Sequence, residues 1–323
     1  MTRLNRRNIL GLMGATALTG CAPAIPLSQL GDDPFEGGIG GTGIVGLMTG
    51  TGSVLVNGLR VEVPNRARIL ANGRSVASTI LVPGTALSLV ASARLGRFEA
   101  EQIDIDAPLI GTMTRLGSGH AINGTALRLD TGVSASGLVG QRVVAHGVWQ
   151  QNGSLRASLL QRTRDTTDSV AGVVVGSPNT GWSIGQTPVQ PRESQVLIPG
   201  QFAVISGQFA GGTLNANSAI LGRFRAGKSL RQLSIEGYLE PISATPGYRI
   251  SGLGHSFDQR LTLDPFASLR GVYFGAYDGR FMARRVVALP EGPGARQALL
   301  RPSDGANFAQ GLTGTAARII PTT

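Results

Sequence analysis

Cys21 is the only cysteine among 323 residues, so no disulfide can form within the chain. Histidine is nearly as scarce. His120, His146 and His255 stand far apart, none in the spacing of a metal pair and none in a His-Glu-x-x-His motif, so no metal site is expected. Aromatic residues make up 5% of the chain, which leaves small aliphatic side chains to fill its cores. Long apolar runs are missing too: the stretch from Ile9 to Leu18 has ten residues, too few to span a bilayer as a helix. No stretch reads as an amphipathic helix of more than two turns, although 64–80 has room for a short one.

Glycine is abundant instead, 47 of 323 residues, about twice the usual share. Combined with short Val, Ile, Leu and Thr runs, it indicates an all-β chain with many tight turns. The N-terminus carries a different signal. Arg6 and Arg7 stand directly before the apolar run, the twin-arginine form of an export signal. Leu18-Thr19-Gly20-Cys21 closes that run as a lipobox, whose small residues suit a signal peptidase and whose thiol accepts a diacylglycerol. Residues 1–20 are therefore expected to be removed, leaving Cys21 lipidated and its sulfur closed to other chemistry. Ala22 after the cysteine, rather than aspartate, favours sorting to an outer membrane. Acyl chains contribute about 0.8 kcal/mol per buried methylene, so an anchor of several chains is effectively permanent.

The formal charge is +10. Arg3, Arg6 and Arg7 leave with the signal, so the mature chain keeps 26 basic and 19 acidic residues, or +7. The excess is scattered, with no run of five like charges, and a solvated surface accounts for it. Nucleic acid is not an expected partner for an exported chain. An anionic glycan or an envelope protein is, beside the membrane itself.

Internal repetition decides the architecture. Gly46, Gly111, Gly172 and Gly237 open four similar segments and lie 65, 61 and 65 residues apart. Twelve to fifteen residues later, each segment has an apolar residue leading into a glycine turn: Val56-Asn57-Gly58, Ile122-Asn123-Gly124, Ile184-Gly185 and Ile250-Ser251-Gly252. Asn-Gly between apolar residues is a strong hairpin signal, because the turn requires positive φ. A third landmark, an apolar residue, any residue and glycine, ends at Gly84, Gly140, Gly200 and Gly271. The last is an alternating strand centred on one alanine, Ala100, Ala157, Ala216 or Ala283, where only a methyl fits against a neighbour.

Five short strands in some sixty residues close most readily into a small barrel of the OB type, which removes exposed edges. The expectation is four tandem five-stranded OB-like barrels over 43–107, 108–166, 167–228 and 229–290. A tether and Gly-rich connector (21–42) precedes them and a flexible tail (291–323) follows. A sandwich shared between segments is the alternative. The stretches Gly37–Gly43 and Thr49–Val61 resemble the opening of exported bacterial proteins grouped as domain of unknown function family 5666. The likeness extends, more loosely, to Leu289. It implies tandem OB-like units in an exported protein, and brings no activity or catalytic residue with it.

Two familiar patterns are rejected. Gly222–Ser229 spells a phosphate-binding loop, but an alternating strand follows where a helix is needed, so it reads as a basic linker. Gly38–Gly43 spells a dinucleotide fingerprint with no strand before it and a strand after it. Asp104 and Asp106 alternate with Ile103 and Ile105, which puts both on one face of a closing strand, expected to be the wet one. Asp264 and Asp278 lie near turns. No catalytic residue and no cofactor is expected. His146 alternates with Val144 and Val148, pointing inward or capping a strand end. The densest aromatic set, with arginines beside it, gives the one candidate ligand face: Tyr273, Tyr277, Arg280 and Arg284. Core filling is the competing account of its rings. The resulting expectation is a non-enzymatic binding or scaffolding module of the cell envelope; the alternative is a carbohydrate or polyanion binder acting through the fourth segment.

Overall fold

The computed structural model describes residues 41–94, 97–224, 229–243, 247–258, 260–261, 270–289 and 316–320. Arg6, Arg7, Cys21 and Asp264 lie outside these residues. Among the described residues the protein is all-β, without an α-helix. Residues 64–80 hold a small hairpin, Arg68–Ala71 (β4) with Arg74–Ser75 (β5), and a single 3-10 turn at Ser78–Ile80.

The first segment comprises β1 (Gly41–Gly50), β2 (Val54–Val56), β3 (Leu59–Glu62), β6 (Ala86–Arg94) and β7 (Arg97–Ile105). Its ladders run β1–β2–β3–β7–β6 and return to β1, with β3 and β7 parallel and the rest antiparallel. The result is a closed five-stranded mixed barrel around Ile44, Val56, Val61, Leu89 and Ile103. β1 begins inside the expected connector, with Gly41 and Thr42 already paired to a strand far along the chain.

A second sheet of ten strands contains β8 (Leu109–Leu116), β9 (Gly119–Ile122), β10 (Thr125–Leu129), β11 (Arg142–Trp149) and β12 (Leu155–Arg162). It continues with β13 (Asp168–Ser177), β14 (Gly181–Ile184), β15 (Thr187–Gln190), β16 (Phe202–Ala210) and β17 (Thr213–Leu221). The order is β11–β12–β10–β9–β8–β13–β14–β15–β17–β16, with β11 returning to β8 and β16 to β13. The joint between its halves is a short antiparallel ladder, Ser169 opposite Ile110 and Val170 opposite Leu109.

The last segment holds β18 (Leu230–Pro241), β19 (Tyr248–Ile250), β20 (His255–Phe257), β21 (Arg260–Leu261), β22 (Arg270–Tyr277) and β23 (Phe281–Ala288). β18 pairs with β19 and β22, and runs parallel to β1 from Leu230 to Ile235. Among the described residues no ladder joins β20 to β23; the rings of Phe257 and Phe281 meet there edge-to-face, 6.0 Å between centroids. Of the span expected as a tail, the described residues are Ala316–Ile320, a strand (β24) antiparallel to β23 and β21.

The sequence landmarks have consistent physical causes. A Cβ at Gly46 would overlap the Asn57 side-chain oxygen, and one at Gly111 would overlap that of Asn123; Gly172 and Gly237 lie likewise against Ile184 and Ile250. Asn57 and Asn123 take positive φ, 53° and 50°, as the turn demands. The amides of Gly84, Gly140 and Gly200 each donate to a first-strand carbonyl, those of Met48, Met113 and Val174, all at 2.8 Å. The marker alanines stand beside bulges: Ala100, Ala157, Ala216 and Ala283 face Ala91, Gly147, Gly207 and Gly275, and each ladder slips one residue at that point. A bulge sharpens local twist and lets a short sheet curl shut.

Candidate functional site

Placement of the candidate ligand face divides it. β22 alternates, and Tyr273 falls on the inward side, fully buried against Phe257 with ring centroids 5.8 Å apart. Burial raises its phenol pKa well above the ordinary value. Tyr273 therefore fills the fourth core and cannot stack on an external ligand. Tyr277 is half-buried against His255, at 6.1 Å and edge-on. Arg280 sits in the β22–β23 turn, its amide donating to the Asp278 carboxylate at 3.1 Å. Arg284 is the extra residue of the β23 bulge and is exposed. The four residues do not converge on one surface.

The expected wet face of β7 is covered. Asp104 and Asp106 are buried, because other segments pack where an isolated barrel would meet water. Gln102 donates to both Asp104 oxygens, at 3.1 and 2.8 Å. Asp106 borders a void of about 30 Å³, room for one water, together with Arg223 and Glu236. Arg223 is no solvated linker residue either: its guanidinium stacks 3.5 Å above the Phe202 ring, and it donates to the Ser88 hydroxyl. β18 follows the 222–229 stretch, so the phosphate-loop pattern has no helix behind it. Among the described residues no three His, Cys, Asp or Glu side chains come together as metal ligands would.

Two side-chain systems bind the segments to each other. Trp149 ends β11 inside the protein, where its indole N–H donates to the Ala171 carbonyl at 3.0 Å. Its ring rests on Gly172 and Gly185, and its stem on Gly252, whose φ is +68°; side chains at these glycines would occupy the same space. The second system is ionic. Arg270 lies 2.8 Å from Glu236 and 3.4 Å from Asp130, and Asp130 is also 3.1 Å from Arg156. Glu236 accepts the Leu47 amide at 2.8 Å, which brings the first segment into the same network.

A cleft of about 770 Å³ opens where the first three segments meet. Ile80, Ile105, Ile110, Val144 and Ile220 give it an apolar wall. Thr163, Ser169, Ser206, Asn217 and Ser218 also line it, with Arg74, Arg162 and Asp165 as the ionisable groups beside His146. Of these, Asp165 Oδ1 is engaged by the Thr167 amide at 2.9 Å, and Arg162 donates to the Gly137 carbonyl at 2.9 Å. His146 is only 4% exposed, and its Nδ1 is enclosed with no hydrogen-bond partner. Burial lowers its pKa from 6.5 to about 4, so the imidazole is neutral near pH 7, with one donor and one acceptor nitrogen.

Sequence reasoning missed this cleft because its walls come from three segments. The alternation around His146 was the only signal, and it left open whether the ring points inward or caps a strand end; the ring lies in the cleft wall, on the side of β11 opposite the core residues Val143 and Ala145. No protein family, no curated protein and no solved structure matches the chain. Among the described residues no helix is long and apolar enough to cross a membrane.

Proposed function

We propose that this chain is an exported, lipid-anchored binding or scaffolding module of the cell envelope, built from four tandem OB-like units and tethered through Cys21. The tandem reading is supported by the glycine–hairpin contact in all four segments, the alanine-marked bulge in all four, and the repeated 2.8 Å amide bond in three. The fourth departs in the region of Gly271, which sits inside β22. The resemblance to the family of unknown function points the same way.

One observation carries the functional reading. Segments remote in sequence are locked into one body by the β1–β18 ladder and the Arg270 network, and that body presents a preformed cleft. Rigid, largely preformed concavities suit binding, since little ordering entropy is lost when a ligand enters. The alternative site in the fourth segment is weaker without the Tyr273 ring, because stacked aromatics are what such a face would use.

The test is capture from detergent-solubilised envelopes with the lipidated protein as bait, read by mass spectrometry for proteins, glycans and lipids. A recurrent protein or lipid absent from a control bait of similar charge is the expected result. Enrichment of glycan alone, abolished by Arg280→Gln and Arg284→Gln together, would overturn it in favour of the fourth segment. Cys21→Ser should release the protein into the soluble fraction; retention in the membrane would refute the anchor.

A further inference from the structure

We propose that the three-segment cleft is a site for a single anionic amphiphile, an alkyl chain ending in a carboxylate or phosphate. The inference rests on the binding-module reading and adds the class of ligand. Three independent features lead to it. The volume, about 770 Å³, lies within the range of small-molecule sites, roughly 300–1,000 Å³. The lining is divided: Val76, Ile80, Val82, Ile105 and Ile110 offer a wall for a hydrocarbon, whereas the charged groups are Arg74, Arg162 and Asp165. With Asp165 turned to the Thr167 amide and two guanidinium groups against one carboxylate, the balance favours an anion.

The third feature is a buried polar group without a partner. His146 stands in the cleft wall with Nδ1 unsatisfied, and Asn72, also in that wall, has an enclosed Oδ1 in the same condition. Buried polar groups are nearly always satisfied in a folded protein, and exceptions mark a missing water, ion or ligand. A neutral imidazole adds no charge of its own, so the arginines supply the charge that holds the head group. Ile80, which also lines the cleft, is 41% exposed, so its side chain is open to a ligand that enters.

The head group has two sources, a free fatty acid or a phospholipid, which share the anionic oxygens the arginines would grip. The full mature protein is titrated by calorimetry with dodecanoate, dodecyl phosphate and uncharged dodecanol, each below its aggregation concentration. Saturable one-to-one binding of both anions, at least tenfold tighter than dodecanol, is expected. Tighter binding of dodecanoate points to a fatty acid and of dodecyl phosphate to a phospholipid, and either supports the site. Arg74→Gln with Arg162→Gln should weaken both anions at least tenfold, and Ile80→Ser should weaken all three ligands. Both sets of positions are exposed, so an unchanged thermal midpoint without ligand certifies folding. Absence of saturable binding, equal affinity for dodecanol, or unaltered affinity in the arginine variant would overturn the proposal. Should the cleft proposal fall by one of these results, capture of an envelope protein by the unaltered chain would still leave the module reading intact.

Discussion

Arg270 and Glu236 form an ion pair at 2.8 Å with 4% and 1% of their side chains exposed, although one opens β22 and the other lies in the middle of β18. The pair sits where the first, second and fourth segments converge, since Glu236 accepts the Leu47 amide and Arg270 reaches Asp130. Charges taken this far out of water are costly unless they stay paired.

Arg270→Met should therefore destabilise the protein by about 3–5 kcal/mol, because it strands Glu236 in the interior. Adding Glu236→Gln should recover a substantial part of the loss. Equilibrium denaturation of the two variants checks both statements, and equal stability of single and double variants would show the pair to be uncoupled.

Asn57→Ala removes donation to the Val45 carbonyl (3.0 Å), the Ser234 carbonyl (3.2 Å) and the Ser234 hydroxyl (3.0 Å), and puts alanine, which tolerates positive φ less well than asparagine, in the turn. A loss of about 2–4 kcal/mol is expected from the combined effects. Asn123→Ala, which loses bonds to the Ile110 and Ser169 carbonyls at 2.9 and 3.1 Å, should behave alike. Thermal unfolding of both variants tests whether the two turns are energetically equivalent.

Gly252→Ala places a methyl where the Trp149 side chain already stands, at a φ of +68°. The indole must shift, and the variant should lose at least about 2 kcal/mol while its tryptophan emission moves to the red. Trp182 is the only other tryptophan, so a Trp182→Phe background assigns the signal. An unshifted spectrum would mean the joint yields elsewhere.

Acid should loosen the structure through its histidines. Burial holds His146 near a pKa of about 4, and burial, then the Arg223 charge, hold His255 near about 3. Both are depressed bases, so the unfolded chain binds protons first as pH falls below 6.5. Stability from this source is intact above 6.5, declines from there to about 4 for His146, and is flat below its folded pKa. The full His146 contribution is about 3 kcal/mol. His146→Gln should flatten the pH 4–6.5 part of the stability profile, with Arg162 and Asp165 across the cleft unchanged. A slope identical to the parent's would reject buried neutrality.

The parts legible in the sequence were those settled within one segment. Asn-Gly at 57–58 and 123–124 gave the hairpins, because turn stereochemistry is local. The alanines at 100, 157, 216 and 283 marked a close approach, and the bulge beside each is its cause. Illegible were the features made between segments. Alternation put Asp104 on the outer side of β7, correctly, yet whether water or protein covers that side depends on residues from other segments. Tyr273 shows the reverse: aromatic density left a binding face and core filling both open, and the pairing of β22 with β18 and β23 puts its ring in the core. The cleft is the extreme case, since 72, 146 and 217 are neighbours only after three segments have docked.

The parallel ladder between β1 and β18 also imposes an order in time. The Leu47 amide waits 189 residues for its acceptor, Glu236. At about 5–20 residues per second of synthesis, that is a delay of roughly ten to forty seconds during which the flank of β1 is open. A ribosome-bound chain thus carries an unpaired strand edge until β18 has emerged. If the chain is exported by the proposed twin-arginine route, which moves folded cargo, that edge is sealed before the chain leaves the compartment where it was made.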